Sequence, residues 1–216
     1  MSDNDYNDFV TFEPHAVLVV RDEKKFAMFF DPKYEYIFYI LREGPQTLKE
    51  ITEKHKEYTL KDKKDKKEIT IYRYLKDLVE VGLVVQAGKR VYKDKIATDT
   101  LYNRAALMFY PVIISEEYWK REENEPVLKK LAEMISLYTG KPKPSLATTR
   151  DLISNMYKVG ESVLGKFLEE KNEEISKILG DYTFGQMDLL LRAFDMIVIL
   201  LNSQFYDKEM EEIFGK

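Results

Sequence analysis

The hydrophobic period of the chain switches between Thr47 and Tyr92, and this constrains the fold more than any other feature. Up to Val81 the apolar residues recur at helical spacing. After Gly82 they fall into Leu83-Val84-Val85-Gln86 and Lys89-Arg90-Val91-Tyr92, separated by Ala87-Gly88. Such an order predicts helices followed by a strand, a tight glycine turn and a strand. Thr47-Leu48-Lys49-Glu50 has capping-box spacing: the threonine oxygen takes the N3 amide and the glutamate reaches back to the threonine amide. The helix it opens runs to about Tyr58 with Leu48 and Ile51 inward, and the lysine-rich stretch 59–67 is a loop too polar to pack. From about Glu68 to Val81, Ile71, Leu75, Leu78 and Val79 stand at i, i+4, i+7 and i+8, one stripe of an amphipathic helix that Gly82 stops.

Upstream, residues 1–14 read as a polar, frayed tail, and His15–Val20 as either a strand or the entry to a helix. Phe26, Phe29 and Phe30 have the spacing of a short helix over 22–30. Asp31-Pro32 is an N-cap followed by proline at the first helical position, opening a helix over 33–42 that buries Ile37, Ile40 and Leu41 before Gly44-Pro45 ends it.

Charge is segregated along the chain. The net charge is −4, yet residues 44–104 carry fifteen basic against ten acidic side chains, a local +5 on a remainder of −9. A cationic window on an acidic protein suits local attraction to a polyanion, and a solvated lysine face has the same charge signature. Pattern separates the two. Helix, helix, turn, helix and a basic hairpin is the winged helix-turn-helix order, in which one helix enters the major groove and the hairpin lies over the adjacent backbone or minor groove.

Thr47-Leu48-Lys49-Glu50-Ile51 and the run from Ile69 to Val84 carry a family likeness. Tyr74-Leu75-Lys76-Asp77-Leu78-Val79-Glu80-Val81-Gly82-Leu83-Val84 resembles the "H-L-K-x-L-x-x-A-G-L-V" ending of ArsR-type winged-helix transcription regulators, in particular their archaeal branch, and departs from it at Tyr74 and Val81. Residues 98–106 are similar to a segment that follows the wing in archaeal relatives, so the likeness spans roughly 15–110. It implies a recognition helix at about 68–81 and a wing at 83–92, with groove-facing positions at Glu68, Ile69, Thr70, Tyr72, Arg73 and Lys76. Helical geometry agrees, since these positions lie off the buried stripe.

Arg73 is the candidate for base readout, because a guanidinium grips guanine O6 and N7 together. The alternative for Arg73 is a surface ion pair with Asp77 at i+4. Tyr72 and Thr70 suit phosphate or bases, Lys67 and Lys76 suit phosphate, and Lys89 and Arg90 of the wing suit the backbone or an AT-rich minor groove. The metal sensing of many relatives is not carried over. The chain has no cysteine, and its two histidines read simply, His55 as solvated or near phosphate and His15 as a boundary residue.

In the C-terminal half, residues 104–114 form an apolar run split by Pro111, either a core helix with an extended connector or part of a dimer contact. From Pro126 the pattern is helical throughout, with Val127, Leu128, Leu131, Met134 and Ile135 on one face and a linker at 140–144. Thr183 and Gln186 form a second capping box, opening a helix over 184–205 that is apolar on most sides and suits a bundle centre or a subunit interface. Asp188, Arg192, Asp195 and Asn202 draw a polar stripe along it, either a ligand pocket, a buried dimer network or its solvated side.

Several classes are excluded. Without cysteine there is no disulfide framework or thiol nucleophile, and no G-x-G-x-x-G, G-x-x-x-x-G-K-[ST] or H-E-x-x-H motif occurs, so neither an enzyme nor a cofactor is indicated. The acidic N-terminus lacks a signal peptide's apolar region, and Arg192 and Asp195 interrupt the most apolar stretch, which argues against a membrane span. A cytoplasmic protein of thermophile flavour is expected, mostly α with a small β-hairpin wing. Its parts are a tail at 1–14, a winged helix-turn-helix domain at 15–110, and a helical dimerisation or effector domain at 115–216. The function expected is a homodimeric transcription regulator bound to a near-palindromic double-stranded DNA operator, with a small molecule or a protein as candidate effector. The rival expectation is a winged-helix protein-interaction module that reads no bases.

Overall fold

The computed structural model describes residues 5–59, 66–93, 96–112, 116–179 and 183–215. They are mostly helical with a small antiparallel sheet, and they form two compact units, Met1–Pro111 and Val112–Lys216. Most of the lysine-rich loop lies outside the described residues.

The first unit begins with a strand where a frayed tail is expected. β1 (Tyr6–Val10) pairs antiparallel with β4 (Val84–Tyr92), which in turn pairs with β5 (Thr98–Arg104). The short β3 (Gln46–Thr47) closes the sheet against β5, giving the order β1-β4-β5-β3. The run 83–92 is therefore one strand and not a hairpin. Gly88, expected in a turn, sits at a bulge between Gln86 and Gly88 with φ +154°, where a Cβ would lie 2.1 Å from the Phe9 carbonyl oxygen. Glycine is needed there because β1 crosses too closely for a side chain.

β2 (His15–Val20) is a strand, and its partner is the run expected as a core helix. β6 (Ala106–Pro111) pairs parallel to it, and Ala16, Val17, Val20, Ala106, Met108 and Phe109 are buried. A strand buried on both faces reads as a continuous apolar run, which periodicity does not separate from a helix. α1 (Glu23–Phe30) is capped by Asp22, and its Phe29 ring meets Phe38 and Phe109 at 5.3 and 5.1 Å.

α2 (Pro32–Ile40) starts at the expected Asp31-Pro32 cap, with the Asp31 carboxylate taking the Lys33 amide at 3.0 Å. α3 (Leu48–Thr59) opens on the expected capping box: the Thr47 amide donates to Glu50 at 2.8 Å and the Glu50 amide to Thr47 Oγ1 at 3.3 Å. α4 (Glu68–Glu80) ends in a Schellman turn. Gly82 has φ +71°, its N–H reaches the Val79 carbonyl at 3.0 Å, and the Leu83 N–H reaches Leu78 at 3.0 Å.

The second unit is helical among its described residues. It comprises α5 (Glu116–Lys120), α6 (Glu125–Thr139), α7 (Leu146–Val159), α8 (Gly165–Glu170), α9 (Asn172–Leu179), α10 (Phe184–Leu201) and α11 (Asp207–Phe214). A π-helical turn at Gly160–Leu164 joins α7 to α8. The Thr183/Gln186 capping box is formed. α10 stops at Leu201, where the Asn202 side chain donates to the Val198 carbonyl. No described helix is long and apolar enough to cross a membrane.

One ion cluster ties the first unit together. Arg90 on β4 is 6% exposed and clamps Asp8 of β1 through Nε (2.7 Å) and Nη2 (2.8 Å), while its Nη1 reaches Glu50 at the start of α3. The Tyr6 ring lies 3.9 Å from the guanidinium carbon. Hydrogen bonding to Asp8, joined by Glu50, holds the Arg90 proton more tightly than usual. Burial pushes the Glu50 carboxyl up, but the Thr47 amide and Arg90 outweigh it and hold it below its ordinary range. Replacing Arg90 with Met should cost about 2–3 kcal/mol, less than the roughly 3–5 of a fully buried pair, because both carboxylates keep some water contact. Glu50's stabilisation is complete above its ordinary value of about 4.3 and fades as pH falls through its depressed folded value. Denaturant melts at a series of acidic pH values should show that fading in the wild type and a shallower acid dependence in Arg90→Met.

Candidate nucleic-acid interface

α4 is held by its inner stripe and by one polar tie. Ile71, Leu75 and Leu78 are fully buried, and Val79 is half-buried beside them. The Tyr34 hydroxyl of α2 donates to Asp77 at 3.1 Å, and the Tyr34 and Tyr74 rings meet edge-on at 5.5 Å. Burial, with Asp77 adding to it, pushes the Tyr34 phenol above its usual range. The helix therefore presents one fixed face outward.

That face carries the residues expected on it. Lys67, Glu68, Ile69, Tyr72, Arg73 and Lys76 are exposed, and Thr70 is half-buried. The alternative for Arg73, an ion pair with Asp77, is not formed: Asp77 takes the Tyr34 hydroxyl instead. Among the described residues Lys67, Arg73, Lys76 and Lys89 form no ion pair at all. Four cations without internal counter-charges can meet an external anion without first giving up a partner.

The hairpin differs from expectation. Its arms are β4, which ends at Tyr92, and β5, which begins at Thr98, so the residues at 87–90 sit mid-strand. Strand alternation turns Lys89 outward and Arg90 inward. Arg90, expected on the DNA backbone or minor groove, is sealed by Asp8 and Glu50 and is unavailable to a ligand. Lys93, after β4, and Ile96, before β5, are exposed, and placing the hairpin turn at Ala87-Gly88 hid them from sequence reasoning.

Two further residues of the 44–104 window, one histidine and one of its fifteen cations, are also interior. His55 is 2% exposed, with its ring edge-on to Tyr36 at 5.6 Å, so it is a core residue and neither solvated nor near a phosphate. Its helix buries Ile51, Thr52, His55 and Thr59, and this one-turn spacing was masked by the lysines around it. Arg104 is equally buried. Its Nη1 donates to the Leu107 carbonyl at 3.1 Å, its Nε has no partner, and burial with Arg42 nearby pushes it down to about 10. Charge counted along the sequence thus overstates charge at the surface. His15 opens β2, with its ring against Phe12.

The polar stripe along α10 opens on a solvated pair, Arg192 bonded to Asp188 at 2.8 Å with side chains 73% and 38% exposed, while Asp195 and Asn202 further along are half-buried. Among the described residues no group of three or more His, Asp or Glu side chains is arranged to hold a metal ion. Compared with known proteins, the chain matches no family model and no curated protein.

The absence of internal partners makes Arg73 a clean probe. Arg73→Ala should leave the melting transition within about 0.5 kcal/mol of wild type, as expected for an exposed residue with no tie to the fold. A thermal or denaturant melt checks this.

Proposed function

We propose that this chain is a sequence-specific double-stranded DNA-binding transcription regulator of the winged helix-turn-helix kind, acting as a homodimer. In this reading α4 enters the major groove and the β4–β5 hairpin is the wing. The observation that carries it is the outward face of α4, where Arg73 and Lys76 stand without internal partners on a helix whose other side is fully buried. The order α2, β3, α3, α4, β4, β5, with β3 paired to β5, supports it, as does the resemblance of 69–84 to ArsR-type regulators. The second unit supplies the dimer contact and is the place for an effector.

Roles follow from chemistry. Arg73 reads a guanine through O6 and N7, Tyr72 and Thr70 bond bases or phosphates, and Lys67, Lys76 and Lys89 neutralise the backbone. Arg90 holds the wing in place and does not touch DNA.

A second reading is favoured by two side chains on the same face. Ile69 is 57% and Tyr72 44% exposed, bulky for a groove-facing helix and suited to a protein partner. Titration of a fluorescent duplex at two salt concentrations separates the readings. DNA binding gives tight association with a steep salt slope, and a protein-interaction module gives none. On a selected site, Arg73→Ala should lose about 1–3 kcal/mol and relax selectivity. Lys67→Ala or Lys89→Ala should weaken all duplexes alike and reduce the salt slope by about one. Unchanged binding of selected and random duplexes by Arg73→Ala would refute the assignment of α4.

A further inference from the structure

α10 is buried on one side only. Met187, Leu191 and Val198 face the interior, while Leu189, Leu190, Met196, Ile197, Leu200 and Leu201 are 37–75% exposed on the other side. These six fall at helical spacing around Ala193, which is itself exposed, so they form a continuous apolar stripe. No uncompensated charge interrupts it, because Arg192 at its border is bonded to Asp188 of the same helix.

We infer that the stripe is covered by α10 of a second copy of this chain, crossing antiparallel at Ala193. From Leu189 to Ile197 the stripe is self-complementary about that residue, as a twofold contact requires, and Leu200 lies over Gln186, whose amide oxygen is turned back onto Thr183. With Ala193 on the axis, Leu189 meets Ile197 of the other copy and Leu190 meets Met196. Leu201 meets Gly185, around which nothing lies within 4 Å of where a Cβ would be, so a large side chain fills the gap a glycine leaves. A parallel pairing sets glycine on glycine and leucine on leucine and loses that fit. The small Ala193 lets the two helices approach closely, and opposed macrodipoles favour the antiparallel sense. Covering the six side chains removes on the order of 600 Å² per copy, close to the ~800 Å² per partner of a standard interface. The contact deepens the homodimer reading above by naming its surface, but its warrant lies in the second unit alone.

The chain has no native cysteine, so single cysteines report the geometry directly. Under mild oxidation of the full-length protein, Ala193→Cys should give a disulfide-linked dimer. Leu201→Cys should not, because sixteen residues of helix then separate the two thiols by about 24 Å, far beyond disulfide reach. Light scattering should find the wild type dimeric, and Met196→Lys monomeric with unchanged helical circular dichroism. A wild type monomeric at every concentration, no Ala193→Cys cross-link, or equal cross-linking of Leu201→Cys would overturn the inference. A cross-linked dimer that ignores duplex DNA refutes the regulator reading and leaves this one standing. DNA binding by a chain that never cross-links does the reverse.

Discussion

The Arg90 guanidinium joins parts of the chain that lie 82 and 40 residues away, Asp8 on the first strand and Glu50 at the start of α3. Glu50 serves twice, since the same carboxylate closes the capping box on Thr47. The helix start, the hairpin and the edge strand are therefore fixed by one cation. A buried cation of this kind costs desolvation that only complete pairing repays, and here Asp8, Glu50 and the Tyr6 ring together satisfy it. Everything the outward face of α4 can do depends on this arrangement, because α3 and the sheet form the footing on which α4 stands.

The helices of the first unit were legible because their signals are local. Asp31-Pro32, Thr47 with Glu50, the Ile71/Leu75/Leu78 stripe and Gly82 each specify a helix end or face within a few residues. The sheet was not legible for the opposite reason. β1 exists because Asp8 meets Arg90 and because Gly88 makes room for Phe9, and neither pairing leaves a trace in a local window. β6 looked like a helix because both its faces are covered. Gly88 is the sharpest example: a glycine between two β-prone runs is normally a turn, and here it is a bulge forced by a third strand. The same non-local pairing removed Arg90 from the candidate interface, while the α4 residues, whose exposure follows from helical periodicity alone, stand where the spacing puts them.

The second unit shows the other limit of sequence reading. The Thr183/Gln186 cap and the apolar character of α10 were evident, but periodicity does not say which sides of a helix apolar all round are covered. The structure divides it: Met187, Leu191 and Val198 go inward, and the stripe about Ala193 stays open. Of its polar residues, which sequence alone left between pocket, network and solvent, Asp188 and Arg192 form a surface ion pair and Asn202 caps the helix end.

Two α4 helices related by a twofold would meet major grooves about one turn, ~34 Å, apart. Selecting bound sequences from random double-stranded DNA tests the account most directly. It predicts enrichment of a near-palindrome whose half-sites are centred about 10 base pairs, or a multiple of one turn, apart. Recovery of no enriched sequence from a folded, dimeric protein would contradict it.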